Sequence, residues 1–436
     1  MIAARGEALS RILDAAEDAS PMEAVEAVTR ELERALGATA VSLLIADFSG
    51  RGLVRLAHLD EPVAVGLAGH GEGGLGSRRA GGETAEALPF DGGPAEEALR
   101  TQHLQVLPPG APGVSGTPAG HWTVLAPVTE RGEALGLLEM ALPAEPGDEV
   151  LAEIARTAHV LGFVVIANRR HTDFFEWGRR TTPFTLAAEI QRRLLPDAFT
   201  CEAGAFTLSA WLEPAADIGG DTFDYSLDRE ALHLSVTDAM GHGVASALTA
   251  TLCVGSLRNT RRQGASLAAQ AAAANAALLE HPGSIADEGF VTGVLGRLDL
   301  AGGTLELVNA GHVAPYLARG GAVEQLDLPP DLPFGLFLDT TYTRRELALL
   351  PGDRLVLLTD GMVERDAGAL DLGGAIGDTR WLHPREVTRL LADSVLDLTG
   401  STLADDATLL VLDWHGHHGR DRATVAGADS AGPSGA

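Results

Sequence analysis

The chain contains no lysine, so all 32 of its Lys and Arg positions are arginine. That absence removes whole chemistries, because a Walker A loop and a kinase ATP site each place a lysine on the phosphates and Schiff-base catalysis needs a lysine amine. Cysteine is almost missing too: Cys201 and Cys253 are too few for a disulfide framework and fit a reducing compartment. Positive charge is scarce, with 60 Asp and Glu leaving a formal net charge of −28, which opposes nonspecific attraction to nucleic acid and anionic lipid. The longest central apolar run, Val160 to Ala167, falls far short of the roughly 20 residues of a membrane-spanning helix. Met1 to Ser20 interleave Arg5, Glu7, Arg11 and Asp14 with apolar residues and lack a signal-peptide core. These absences lead to the expectation of a cytoplasmic protein that binds neither nucleic acid nor membrane. Its 436 residues, 45% hydrophobic, suffice for about two or three domains.

What the chain does have is a set of short acidic motifs: Gly219-Gly220-Asp221, Asp238-Ala239-Met240-Gly241-His242-Gly243, Thr359-Asp360-Gly361 and Asp405-Asp406-Ala407-Thr408. Each falls where an aliphatic or β-branched run meets glycine or a turn, so strand ends can deliver the carboxylates to one place while glycine lets the chain turn sharply. Converging carboxylates suit hard divalent cations such as Mg2+ or Mn2+, and a binuclear metal hydrolase is the reading that follows. Taken singly, Asp-Gly pairs are ordinary turn formers, and Asp353 in Pro351-Gly352-Asp353 is read as a hairpin residue of that kind.

Ahead of these motifs, Met22, Val25, Val28, Leu32 and Leu36 recur at helical spacing after Ser20-Pro21. Strand-like runs follow at Ala40 to Ala46, Leu53 to Ala57, Trp122 to Pro127 and Ala134 to Ala141. A Gly- and Pro-rich middle, Gly66 to Gly120, holds a predicted helix at Pro94 to Thr101, and a last helix is expected from Asp148 to Arg169. This order resembles a GAF domain, a ligand-sensing module. Gly71-Glu72-Gly73-Gly74-Leu75-Gly76 fits a dinucleotide-binding glycine pattern, but Ser77 to Gly82 continue a loop where that pattern needs a helix.

Between His171 and Leu195 a connector is expected. Its helix, Phe184 to Leu195, carries Leu186, Ile190 and Leu194 at i, i+4 and i+8 and ends at Pro196. That row suits packing on its own domain or a signal-carrying, dimerising contact. Beyond it, strands at Ala231 to Val236, Phe290 to Asp299, Thr304 to Asn309, Thr341 to Leu349, Asp353 to Leu358 and Ala407 to Leu412 surround helices at Val244 to Arg258 and Ser266 to Leu279. Sheets layered with helices follow, and the fold class is α+β.

The acidic motifs, with Phe290-Val291-Thr292, Asn309-Ala310-Gly311-His312 and Pro351-Gly352-Asp353 between them, resemble in order and spacing the metal-dependent PPM (protein phosphatase 2C) serine/threonine phosphatases of the bacterial SpoIIE or RsbU type. The resemblance implies an αββα sandwich of antiparallel sheets and two Mn2+ or Mg2+ ions that activate a bridging water. By motif, Asp238 bridges the ions, Asp221 and the backbone carbonyl of Ala239 complete one site, and Asp360 and Asp405 serve the other. Asp406 either orients Asp405, acts as an alternative ligand or stabilises the turn. His242 is a candidate general acid, two residues away from the family's usual position, and His312 is read as fixing a turn through a backbone hydrogen bond. The implied substrate is a phosphorylated STAS-type anti-sigma-factor antagonist, with a small-molecule or protein signal at the GAF-like domain and a homodimer as a possible assembly. The resulting domains are a sensor at 1–170, a connector at 171–205, a phosphatase domain at 206–413 and a disordered tail at 414–436, in which His415, His417 and His418 are a metal-binding candidate. Two rivals are a noncatalytic scaffold with the same fold and a GGDEF-type cyclase, the latter opposed by Thr222 at the fourth signature position and by the missing lysine.

Overall fold

The computed structural model describes residues 2–58, 78–80, 83–90, 92–111, 118–181, 184–214, 219–280, 289–363, 370–400, 403 and 405–418. The chain divides into two units, one ending at Pro183 and one beginning at Phe184.

The first unit opens with helices α1 (Ile2–Asp18) and α2 (Ala24–Leu36). Strands β1 (Ala40–Ala46), β2 (Gly52–His58), β3 (Arg78–Ala80) and β4 (Glu83–Pro89) precede α3 (Pro94–Thr101). Then come β5 (Gln105–Leu107), β6 (Trp122–Glu130), β7 (Glu133–Leu142), α4 (Asp148–Arg169) and α5 (Phe174–Arg179). The strands form one sheet in the order β3-β4-β2-β1-β7-β6-β5. Strand side chains alternate between faces, and both faces are used here. Leu43, Ile45, Leu138 and Met140 meet α2 and α4 in one core, while Leu44, Ala46, Leu125 and Leu137 meet Ala98 and Leu99 of α3 in another. By length and composition α4 could cross a membrane, but Ile154, Ala158, Leu161 and Val165 are buried in the first of these cores.

The second unit begins with α6 (Leu186–Leu194), β8 (Thr200–Glu202), β9 (Phe206–Glu213), β10 (Asp221–Leu227) and β11 (Ala231–Ala239). Helices α7 (Gly243–Arg262) and α8 (Leu267–Leu279) lead to β12 (Val291–Asp299), β13 (Thr304–Ala310), β14 (Tyr316–Arg319), β15 (Ala322–Gln325), β16 (Arg345–Ala348) and β17 (Arg354–Leu358). After a short 3-10 turn, Asp360–Met362, come α9 (Leu372–Asp378), α10 (Pro384–Leu398) and β18 (Ala407–Trp414). A five-stranded sheet, β10-β11-β12-β13-β16, faces a six-stranded one, β15-β14-β17-β18-β9-β8, and every recorded strand pair is antiparallel. Alternation again sets the layers. Leu232, Leu234 and Val236 pack between the sheets against Leu410, Leu412 and Trp414. On the outer faces Val291 and Leu295 receive α7 and α8, and Leu409 and Val411 receive α9 and α10. The result is an αββα sandwich.

Three expectations change. The stretch 171–205 is not a separate connector: α5 lies in the first unit, whereas α6 and β8 lie in the second. The apolar row on α6 is buried in part only, since Leu186 is 65% exposed while Leu194 packs on the core beside α7 and α8, and the fully buried positions are Ala187 and Gln191; Gln191 can be interior because its amide is hydrogen-bonded there. Order also continues past Asp413. Trp414 ends β18 at 2% exposure, and His415 donates its backbone N–H to Ala205 O and pairs Nε2 with Thr207 Oγ1 at 2.8 Å. That histidine is therefore engaged in the fold, and His415, His417 and His418 do not come together as a three-residue metal-binding group. The glycine pattern at 71–76 and the tail beyond His418 lie outside the described residues.

A carboxylate-lined pocket at the ends of two sheets

Asp221 starts β10, and the antiparallel register sets it opposite Asp238 near the end of β11, which in turn faces Thr292 of β12. Like charges directly opposite on adjacent strands repel, so this pairing costs stability by itself. From the other sheet, Asp360 follows β17 and Asp405 and Asp406 precede β18. Two threonines tie the sheets together at this point. Thr359 Oγ1 and Thr408 Oγ1, both fully buried, donate to Asp221 Oδ2 at 2.6 and 2.7 Å, and Thr408 N donates to Thr359 Oγ1 at 2.9 Å.

Asp406 is a second junction. Its Oδ2 accepts from Gln191 Nε2 at 2.7 Å, Gly220 N at 3.1 Å and Asp221 N at 3.4 Å, while its own N–H donates to Asp405 Oδ1 at 2.8 Å. Gln191 Nε2 also reaches Asp221 O at 2.8 Å. The glycines of the motifs permit these approaches: a Cβ on Gly220 would collide with the carbonyl of Ala239, and one on Gly361 with the carbonyl of Asp406.

Asp238, Asp360 and Asp405 line a cavity of about 320 Å3, together with Ala239, Thr292 and His312 among others. Asp221 and Asp406 lie buried at 2% and 1% exposure and are not among its lining residues. Burial, then the negative charges of Asp238 and Asp406, push the Asp221 carboxyl well above the usual carboxylate range against the pull of the two threonine hydroxyls. Among the described residues no arginine lines the cavity. Among the described residues no three acidic, His or Cys side chains close into a ready-made cage; the carboxylates instead surround a space. Oxygen donors around such a space, with anionic repulsion built into the strand pairing, fit hard divalent cations.

His242 is exposed at the N-cap of α7 and does not line the cavity. His312 has a different role from the one expected. The turn is held by Asn309, whose Oδ1 accepts from His312 N at 2.8 Å and whose Nδ2 donates to His312 O at 3.0 Å. The His312 imidazole instead pairs Nδ1 with Thr292 Oγ1 at 2.7 Å, and burial lowers its pKa to about 4, so it is neutral near pH 7. Asp353 is structural, as its turn position suggested: it accepts two arginine N–H groups of Arg319 and the N–H of Leu350. Thr359 and Thr408 stood inside the acidic motifs and could have been read as partners of the carboxylates; Gln191 carried no comparable signal.

Residues 228–415 match the family Stage II sporulation protein E (SpoIIE). Two Bacillus subtilis (strain 168) proteins named phosphoserine phosphatases are similar: RsbU is 24% identical over 238 residues, 52% of this chain and 68% of that protein. RsbP is 24% identical over 188 residues, covering 42% of this chain and 45% of the relative, so the chain spans under half the length of RsbP. Among solved structures, the RsbU and RsbW domains of a Mycobacterium tuberculosis protein align at 26% identity and a TM-score of 0.43, covering 48% of this chain and 60% of that one. The SiaA-PP2C domain of Pseudomonas aeruginosa aligns at 21% and 0.44, covering 52% and 93%.

Proposed function

We propose that residues 228–415, which match the SpoIIE family, are a PP2C-type phosphatase domain and that the protein is a metal-dependent serine/threonine phosphatase acting on a phosphoprotein. The observation that carries the reading is a pocket lined by three carboxylates and, among the described residues, by no arginine: a phosphate dianion is repelled by those carboxylates until divalent cations are held. Asp238, with Asp221, the Ala239 carbonyl, Asp360 and Asp405, would hold the Mn2+ or Mg2+ ions. Bound cations of this kind neutralise a phosphate and lower the pKa of a coordinated water.

The chain's own residues do the rest. Thr359 and Thr408 hold Asp221 in place across the sheets without neutralising it, and Asp406 fixes the Gly220-Asp221 backbone and, through its N–H, Asp405. This geometry supports Asp406 as an orienting group. His242, exposed and off the pocket lining, is a weak choice of general acid, and water is proposed to protonate the leaving serine oxygen.

The substrate is proposed to be a phosphorylated STAS-type anti-sigma-factor antagonist, and the first unit a GAF-like sensor domain that controls the rate. The sensor would act through α6, whose Gln191 reaches the metal-site backbone. Purified protein should hydrolyse p-nitrophenyl phosphate only with Mn2+ or Mg2+, stop with chelator and recover on metal addition. Metal-independent hydrolysis, or none with metal on either an aryl phosphate or phosphoserine, would sink the assignment. A fragment starting at Phe184 with a rate identical to the full chain under every tested condition would remove the sensor from the reading.

A further inference from the structure

A row of apolar side chains stands uncovered beside the pocket. Met240 lines the cavity and is 46% exposed, and Val244 and Leu248 follow at 40% and 42%. The latter two are at i and i+4 in the first turns of α7 and so share a face. The inner face of the same helix is used otherwise, with Ala250, Cys253 and Leu257 buried against α8 and the five-stranded sheet. From Ala239 to Leu257 there is no Asp, Glu or Arg, in a chain that is 21% charged and carries −28 overall.

Two constraints single out an occupant. A phosphoseryl side chain is short, so the backbone delivering it into the cavity must lie on the rim, of which Met240 is an exposed apolar part. The delivered segment is also anionic, and a strongly acidic surface repels it; along this row it meets no carboxylate from α7. Resting on the phosphatase reading above, we propose that the row Met240, Val244 and Leu248 is the docking face for the phosphoprotein substrate. The matching partner chemistry is a phosphoserine flanked by an apolar ridge instead of by charged residues.

The test compares the wild-type chain with a Val244→Ser/Leu248→Ser double variant, both residues being exposed and outside the acidic centre. The probes are p-nitrophenyl phosphate and two synthetic phosphoserine peptides of equal length and charge, one with leucines flanking the phosphoserine and one with serines there. The wild type should favour the leucine peptide about tenfold in kcat/KM, a preference of roughly 1.4 kcal/mol. The double variant should lose that preference while keeping its p-nitrophenyl phosphate rate within about twofold, a margin of less than 0.5 kcal/mol. Equal rates on both peptides in the wild type overturn the docking proposal and leave the phosphatase reading standing. A parallel loss on p-nitrophenyl phosphate also overturns it, because the row then supports the metal centre. So does an unchanged peptide preference with a changed light-scattering mass, which would give the row to a second copy of the chain. No metal-dependent hydrolysis of any probe by the wild type means that the phosphatase reading itself has failed.

Discussion

Aspartates are buried in two different ways within the C-terminal unit. Asp224, Asp353 and Asp413 face arginines: Arg258 and Arg261 on the first at 2.9 Å, Arg319 on the second at 2.5 Å and Arg354 on the third at 2.6 Å. Asp221 and Asp406 take neutral donors instead, two threonine hydroxyls for one and the Gln191 amide with backbone N–H groups for the other. A guanidinium both orients a carboxylate and cancels its charge, whereas a hydroxyl or amide orients it and leaves the charge in place. The first group is therefore structural. The second leaves carboxylate oxygens beneath the pocket with no guanidinium on them, and Asp221, whose pKa is raised by burial and by its acidic neighbours, is placed to give up its proton to the cations proposed to sit there.

Breaking the proposed metal centre and breaking an arginine-paired aspartate should have separable consequences. Asp238→Asn removes a proposed metal-binding charge and should lower Mn2+-dependent p-nitrophenyl phosphate hydrolysis by about a thousandfold or more, equivalent to about 4 kcal/mol. Its thermal midpoint should hold or rise, because a repulsive cross-strand pair is relieved; wild-type turnover at saturating Mn2+ would contradict the centre. Asp413→Asn should do the reverse. It strands the Arg354 guanidinium, 4% exposed, at a cost of about 3–5 kcal/mol in urea unfolding, with turnover per folded molecule retained.

Gln191→Leu lies between these extremes. It leaves Asp406 short of a donor, so unfolding free energy should fall by about 1–3 kcal/mol and Mn2+ affinity, read by calorimetry, should weaken as Asp221 and Asp405 lose their anchor. Unchanged Mn2+ affinity with the same loss of stability would confine Gln191 to the fold. The smallest effect is expected for Arg319→Ala. Its side chain is 37% exposed, so water replaces part of what it gives Asp353, but that buried carboxylate keeps the Leu350 N–H alone; unfolding free energy should fall by about 1–2 kcal/mol, with neither rate nor Mn2+ affinity changed.

Much of the fold was legible because its signals are local. Helix α4 runs from Asp148 to Arg169 and β1 from Ala40 to Ala46, the spans expected from periodicity. Helix α10 is not among the expected elements, although Pro384 at its first turn and its buried Val387, Leu391 and Val395 carry an amphipathic pattern. The expected β17 and β18 are also present, with β18 longer by Asp413 and Trp414 because Trp414 fills the space between the sheets.

By itself the sequence determined which residues could bring oxygen ligands together: aspartates beside glycines at the ends of aliphatic runs, whose turns need no Cβ, in a chain with no lysine for the competing phosphate chemistries. Only the tertiary structure decided how those aspartates differ. Strand register set Asp221 against Asp238, the facing of two sheets brought Thr359 and Thr408 onto Asp221, and a helix 215 residues earlier supplied the amide that anchors Asp406. The physical reason is that a carboxylate's charge depends on which donors burial places around it, and those donors come from distant parts of the chain that no local pattern links.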